Sequence, residues 1–161
     1  MIREIEPEDI PACVHVIKTA FSTVARELGI TAENAPRFTA FATNEERLQR
    51  QYRYEHRPMF AFCENGRIVG YYSLLLQENE ACELNNLCVL PEYRHQGIGA
   101  EMLKHAFQQA VSMGCTVLNI GIVEENQKLR LWYESFDFVH QRTQKFDFFS
   151  FTCGYMRKSL K

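Results

Sequence analysis

The chain has 161 residues, 46% of them hydrophobic, 12% aromatic and 24% charged. This length and composition fit one globular domain and exclude an acidic disordered chain. Eighteen basic residues against twenty acidic ones leave a net charge of −2, which excludes a strongly cationic nucleic-acid binder, because phosphate contacts need a basic excess.

No apolar run approaches the roughly 20 residues that span a bilayer. The opening stretch from Met1 to Pro11 lacks the basic-then-apolar layout of a signal peptide. The sequence therefore predicts a single domain over residues 1–161, cytoplasmic, with no nucleic-acid or membrane partner. The six cysteines fall at 13, 63, 82, 88, 115 and 153, without a CxxC pair or zinc-site spacing. They read as reduced thiols acting as small core hydrophobes. The five histidines also lack ligand spacing, so no metal is expected.

Residues 2–5 read as a short strand. Pro7, Glu8 and Asp9 then open a helix, since proline suits the first helical position and acids its positive end. Ile10, Val14, Ile17, Phe21, Val24 and Leu28 form one apolar stripe that stops near Gly29. Residues 30–43 look irregular, and 44–56 form a very polar second helix. From residue 58 the period changes. Met59–Cys63 and Ile68–Leu76 flank Asn65-Gly66, the strongest short hairpin signal. A third strand covers 82–90, a helix runs from about Gly97 to Met113 and stops at Gly114, and a strand covers 116–123. Strand, helix and strand in succession make a βαβ unit with parallel strands. A helix over 126–136 and strands over 138–151 and 153–160 close the chain. The fold class is α/β with a mixed sheet: antiparallel first, a parallel pair in the middle, antiparallel last.

Arg94-His95-Gln96-Gly97-Ile98-Gly99 joins the third strand to its crossover helix. A glycine-rich turn at a helix start aims free N–H groups at one point, where the helix dipole adds positive potential, and so suits a diphosphate. The dinucleotide fingerprint fails here because position 102 is Met, and no GxxxxGK[ST] run exists. A tight turn without a ligand is the alternative for these glycines.

The stretch from Glu83 to Gly99 resembles the GNAT superfamily of acetyl-coenzyme A-dependent N-acetyltransferases. Val89, Pro91, Arg94, Gly97 and Gly99 match its motif, while His95 stands where glycine is commonest. Asn126, Tyr133 and Phe138 match a second motif, in which Leu129 and Asp137 replace the usual small residue and glycine. The two motifs cover about residues 83–138, and the order of elements extends the likeness to a GNAT-like sheet with a splayed parallel pair.

The resemblance implies an enzyme with acetyl-coenzyme A as acyl donor. Backbone N–H groups of Arg94, His95, Gln96, Gly97, Ile98, Gly99 and Ala100 would bind its diphosphate. The backbone of Leu87, Cys88 and Val89 would pair with its pantetheine arm like an added strand. Asn126 would contact the cofactor while capping the last helix. A bulge in strand 82–90 is also implied. Two catalytic roles follow from it: Tyr133 as general acid toward the leaving thiolate, and Glu83 as general base for the amine. A core aromatic and an exposed strand glutamate are the plain alternatives for these two positions.

Acceptor selection is expected from helix 8–27, residues 30–57 and residues 140–155. The aromatic run Phe146–Phe151 reads as a buried hairpin or a pocket wall. A small-molecule primary amine is the expected acceptor, with a protein or peptide amine as alternative. The competing functions are a non-catalytic acyl-coenzyme A sensor or interaction module and a cysteine hydrolase, the latter lacking a Cys–His pair. The family habit of dimerising makes a homodimer possible.

Overall fold

The computed structural model describes Met1–Lys161. β1 (Ile2–Glu4) leads through a tight turn at Pro7–Asp9 into α1 (Ile10–Leu28). Arg3 grips Asp9 with two hydrogen bonds, of 2.7 and 3.0 Å, and so fixes the angle between strand and helix. Gly29 ends α1 in the left-handed conformation, with φ 66°. The buried face of α1 runs through Ile10, Cys13, Ile17 and Ala20, displaced from the expected stripe. That displacement leaves Phe21 and Val24 only half-buried and free to line a cleft.

The stretch expected to be irregular contains a single turn of helix, α2 (Thr39–Ala42). Lys18 of α1 holds its C-terminal end by donating to the carbonyls of Ala40 and Thr43, at 2.9 and 3.2 Å. α3 (Glu45–Arg53) starts at Asn44, whose side chain accepts from the N–H of Arg47 at 2.8 Å. It ends three residues before the expected limit of 56.

β2 (Met59–Glu64) and β3 (Arg67–Leu76) form the Asn65-Gly66 hairpin, both turn residues having positive φ. β4 (Ala81–Val89), α4 (Ile98–Ser112) and β5 (Val117–Val123) are the βαβ unit. α5 (Gln127–Glu134), β6 (Val139–Lys145) and β7 (Thr152–Ser159) complete the chain. The strands form one sheet in the order β1-β2-β3-β4-β5-β7-β6, in which only the β4–β5 pair is parallel. β6 is shorter than the expected strand over 138–151. Phe146–Phe151 leaves the sheet because its rings pack on each other and on Phe38, with Phe38 and Phe151 centroids 5.3 Å apart.

α1 and α4 both pack on β3 and β4. Adjacent strand residues point to opposite faces. Tyr72 shares a 2.7 Å hydrogen bond with His105 of α4, whereas Tyr71 lies against Cys13 of α1. The helices therefore cover opposite faces of the sheet, and the fully buried Leu74, Met102, Leu103 and Leu118 belong to the core between.

The parallel pairing is short. Ala81, Cys82 and Glu83 pair with Val117, Leu118 and Asn119, and Leu84–Val89 runs on without a β5 partner. A bulge coincides with the parting. Ser73 faces Asn85 and Tyr71 faces Cys88, so two steps along β3 match three along β4. Asn86, inside the bulge, has φ 57°. Asparagine and glycine tolerate this conformation, and a β-branched residue does not. Asn86→Val is expected to lower stability by about 1–2 kcal/mol and Asn86→Gly by a few tenths at most, measured by urea unfolding. Equal effects of the two variants would contradict a left-handed bulge.

Candidate active site

The divergence of β4 from β5 opens a cleft of about 450 Å³. Its inner end carries Glu83, the last β4 residue paired with β5. Leu87 lines it from β4, Ile120 from β5, and Tyr133 reaches it from α5. The outer wall is a separate apolar cluster in which Phe38 from the segment before α2 meets Phe151 from the β6–β7 loop. Phe149 and Phe151 both line the cleft, so the aromatic run is a pocket wall in part.

Glu83 is held in place rather than loose. Gln77 donates to its Oε2 at 3.3 Å, and Asn119 donates to Gln77 Oε1 at 3.0 Å. Burial pushes the Glu83 carboxyl above the ordinary carboxylate range, opposed by the nearby Arg57 charge and by Asn85 and Gln77. Spacing does not single out Gln77 or Asn119. The usable signal is a polar residue inside the apolar run Val117–Val123.

Tyr133 is 6% exposed. Its ring packs edge-on against Trp132 and Phe138, at centroid distances of 5.0 and 5.2 Å. Burial, with Cys88 close by, drives the phenol pKa upward, so the hydroxyl keeps its proton throughout the neutral range. Asn126 accepts from the N–H of Leu129 at 3.3 Å and so caps α5, and it also lines the cleft. Capping therefore leaves it on the cleft wall.

The other end of the site is the turn into α4. Gly97 precedes the helix with φ 83° and provides no side-chain cap, leaving the first N–H groups of Ile98, Gly99 and Ala100 without one. His95 is also left-handed, with φ 63°. The backbone there keeps the conformation that suits glycine even though the residue is histidine. His95, Gln96 and Gly97 are exposed. Arg94 braces this turn from below: Nε donates to Val89 O at 3.1 Å, Nη1 to Thr23 Oγ1 at 3.0 Å and Nη2 to Ala20 O at 3.1 Å. It ties the turn to β4 and α1, with two N–H groups left over.

A phosphate-bearing cofactor with an extended amide arm fits these features. The uncapped α4 start suits its diphosphate, and the β5-facing edge of Leu84–Val89 offers unpaired backbone groups to its amides. Of the β4 residues expected to bind it, Leu87 is half-buried while Cys88 and Val89 are buried, so contact there falls to the backbone.

Four of the six cysteines lack the setting of a nucleophile. Burial pushes Cys13 and Cys82 up to about 12 and Cys88 and Cys153 upward, against thiolate formation. No cluster of three or more His, Cys, Asp or Glu side chains could hold a metal ion, and no helix is long and apolar enough to cross a membrane.

The chain is similar to several known proteins. An uncharacterized N-acetyltransferase of Mycobacterium tuberculosis, Rv2669, is 29% identical over 82 residues, 51% of this chain and 53% of that protein. The chain thus spans about half the length of the first curated relatives it matches. The ribosomal protein bS18-alanine N-acetyltransferase of Escherichia coli is 25% identical over 137 residues, 85% of this chain and 79% of that protein. The PaiA N-acetyltransferase of Thermoplasma acidophilum, solved with coenzyme A, superposes with a TM-score of 0.82. The match covers 99% of this chain and 98% of that one at 19% identity, a likeness of fold. The model of the acetyltransferase (GNAT) family matches residues 27–138, both motifs included. The chain belongs to the GNAT acetyltransferase family.

Proposed function

We propose that residues 1–161 form one acetyltransferase domain that moves the acetyl group of acetyl-coenzyme A to the primary amine of a small molecule. The observation that carries this reading is the meeting of Glu83 and Tyr133 on one cleft, at the point where β4 and β5 part. A relative solved with coenzyme A and an uncapped helix start support the donor.

Coenzyme A supplies the acetyl group as a thioester. The N–H groups of Ile98, Gly99 and Ala100, with the turn from Arg94 to Gly97, hold its diphosphate. The backbone of Leu87 to Val89 aligns its arm. An N–H of Leu87 or Val89 that reaches the thioester carbonyl strengthens its bond as negative charge grows on that oxygen.

The amine must be neutral to attack. With a pKa near 10.4, fewer than about one lysine-like amine in a thousand is neutral at pH 7. Glu83, its affinity for protons raised by burial, takes the proton from the amine directly or through a water. Tyr133, kept protonated by burial, gives its proton to the departing sulfur. The bS18-alanine acetyltransferase relative favours a second reading, in which the amine belongs to a peptide N-terminus. An amine and peptide panel with acetyl-coenzyme A, read by thiol release, separates the two readings.

Tyr133→Phe is expected to lower kcat about 10²-fold with a much smaller change in the Kd for coenzyme A. Unchanged turnover would remove Tyr133 from the chemistry. Glu83→Gln is expected to abolish an acid limb of the kcat/KM profile lying above the ordinary Glu value of about 4.3, because protonated Glu83 no longer accepts a proton. A limb that survives the substitution belongs to another group.

The same raised pKa fixes a stability trend. The folded chain binds the Glu83 proton more tightly than the unfolded chain. The stability this contributes is complete below the unfolded pKa and lost as pH rises through the folded one. The stability of Glu83→Gln relative to the parent is therefore expected to rise from acid to pH 7. Urea unfolding at the two pH values measures the change, and a relative loss toward pH 7 would contradict the burial of the charge.

A further inference from the structure

A second cavity, of about 360 Å³, adjoins the cleft. Glu83, Asn85 and Asn86 line both spaces. The rest of its wall comes largely from α3 and the segment after it, and it is basic. Arg47, Arg50 and Gln51 share one face of α3 at the helical spacing of three and four, and Arg57 joins them.

The cations there differ in how they are paired. Arg57 is bound to Glu55 at 2.8 Å. Arg50 reaches only Glu46, at 3.4 Å, in a pair with side chains 60% and 82% exposed and therefore weak. Arg47 takes part in none of the ion pairs of α3. Two guanidinium groups thus face the cavity without a strong anionic partner.

A second, independent observation concerns a neutral group. Gln51 is 9% exposed and its Oε1 has no hydrogen-bond partner. Buried polar atoms are nearly always paired, and leaving one unmade is costly. This acceptor lines the space that Glu83 shares with the cleft, and the ammonium or amine of a ligand there would give it a donor.

We propose that the acceptor bears a carboxylate close to its amine, and that Arg47 and Arg50 hold the carboxylate while Glu83 faces the amine. This rests on the acetyltransferase reading and adds the class of acceptor. The planar fork of arginine matches the two oxygens of a carboxylate and gives charge-assisted bonds. The carboxylate belongs to a free amino acid or to an acidic side chain near a peptide's amine.

The test compares matched acceptors with acetyl-coenzyme A by thiol release. The pairs are lysine with cadaverine, phenylalanine with phenethylamine, and short peptides with Asp or Asn in the second position. The carboxylate member of at least one pair is expected to have a kcat/KM about tenfold or more higher. The double variant Arg47→Gln, Arg50→Gln is expected to shrink that ratio toward one. Preference confined to the amino acids, or to the Asp peptides, identifies the source of the carboxylate.

The same compounds are titrated calorimetrically into the coenzyme A-saturated protein. Binding of a carboxylate-bearing amine to the parent and its loss in the double variant support the cavity even where no acetylation occurs, an outcome that would sink the acetyltransferase reading alone. Equal rates within every pair, or a preference that survives the double variant, would overturn the proposal. So would the absence of calorimetric binding by every carboxylate-bearing amine.

Discussion

Two parallel strands that stay paired for three residues and then part govern everything else in this protein. A continuous β4–β5 ladder would satisfy the backbone and close the sheet. Instead the bulge at Asn86 turns β4 aside, and the edge of Leu84–Val89 faces open space. An unpaired edge inside a sheet is a liability unless something covers it. β4 runs on from this gap to the turn into α4, and Tyr133, on the helix that follows β5, lines it. The proposed binding edge, anion end and proton donor thus all follow from one interruption of the sheet.

The electrostatics are local for the same reason. The chain carries a net charge of only −2, yet a polyanionic ligand has a place to bind. Backbone N–H groups at a helix start provide the positive potential, and a basic surface is not required. Arg94 contributes through its bonds to Val89, Thr23 and Ala20, which fix the turn that aims those groups. The free basic side chains lie elsewhere, on α3, beside Glu83.

Much of this was readable from residue order. Asn65-Gly66, the glycine turn and the period of α4 between two apolar strands are local signals, and the structure follows them. What was not readable depends on distant packing. α2 is one turn long and is held by Lys18, more than twenty residues away in sequence. β6 stops at Lys145 because Phe149 stacks on Phe151, which in turn packs edge-on against Phe38, a contact no strand period encodes. The setting of Glu83 by Gln77 and Asn119 likewise joins three strands' ends, and single-residue chemistry does not foretell it.

If the parted edge of β4 and the start of α4 are the surface that acetyl-coenzyme A covers, saturating ligand slows amide hydrogen exchange there. New protection is expected at the N–H groups of Leu87, Val89, Ile98, Gly99 and Ala100, with little change in β1 and β2. Unchanged exchange at those amides while the ligand is bound would contradict it.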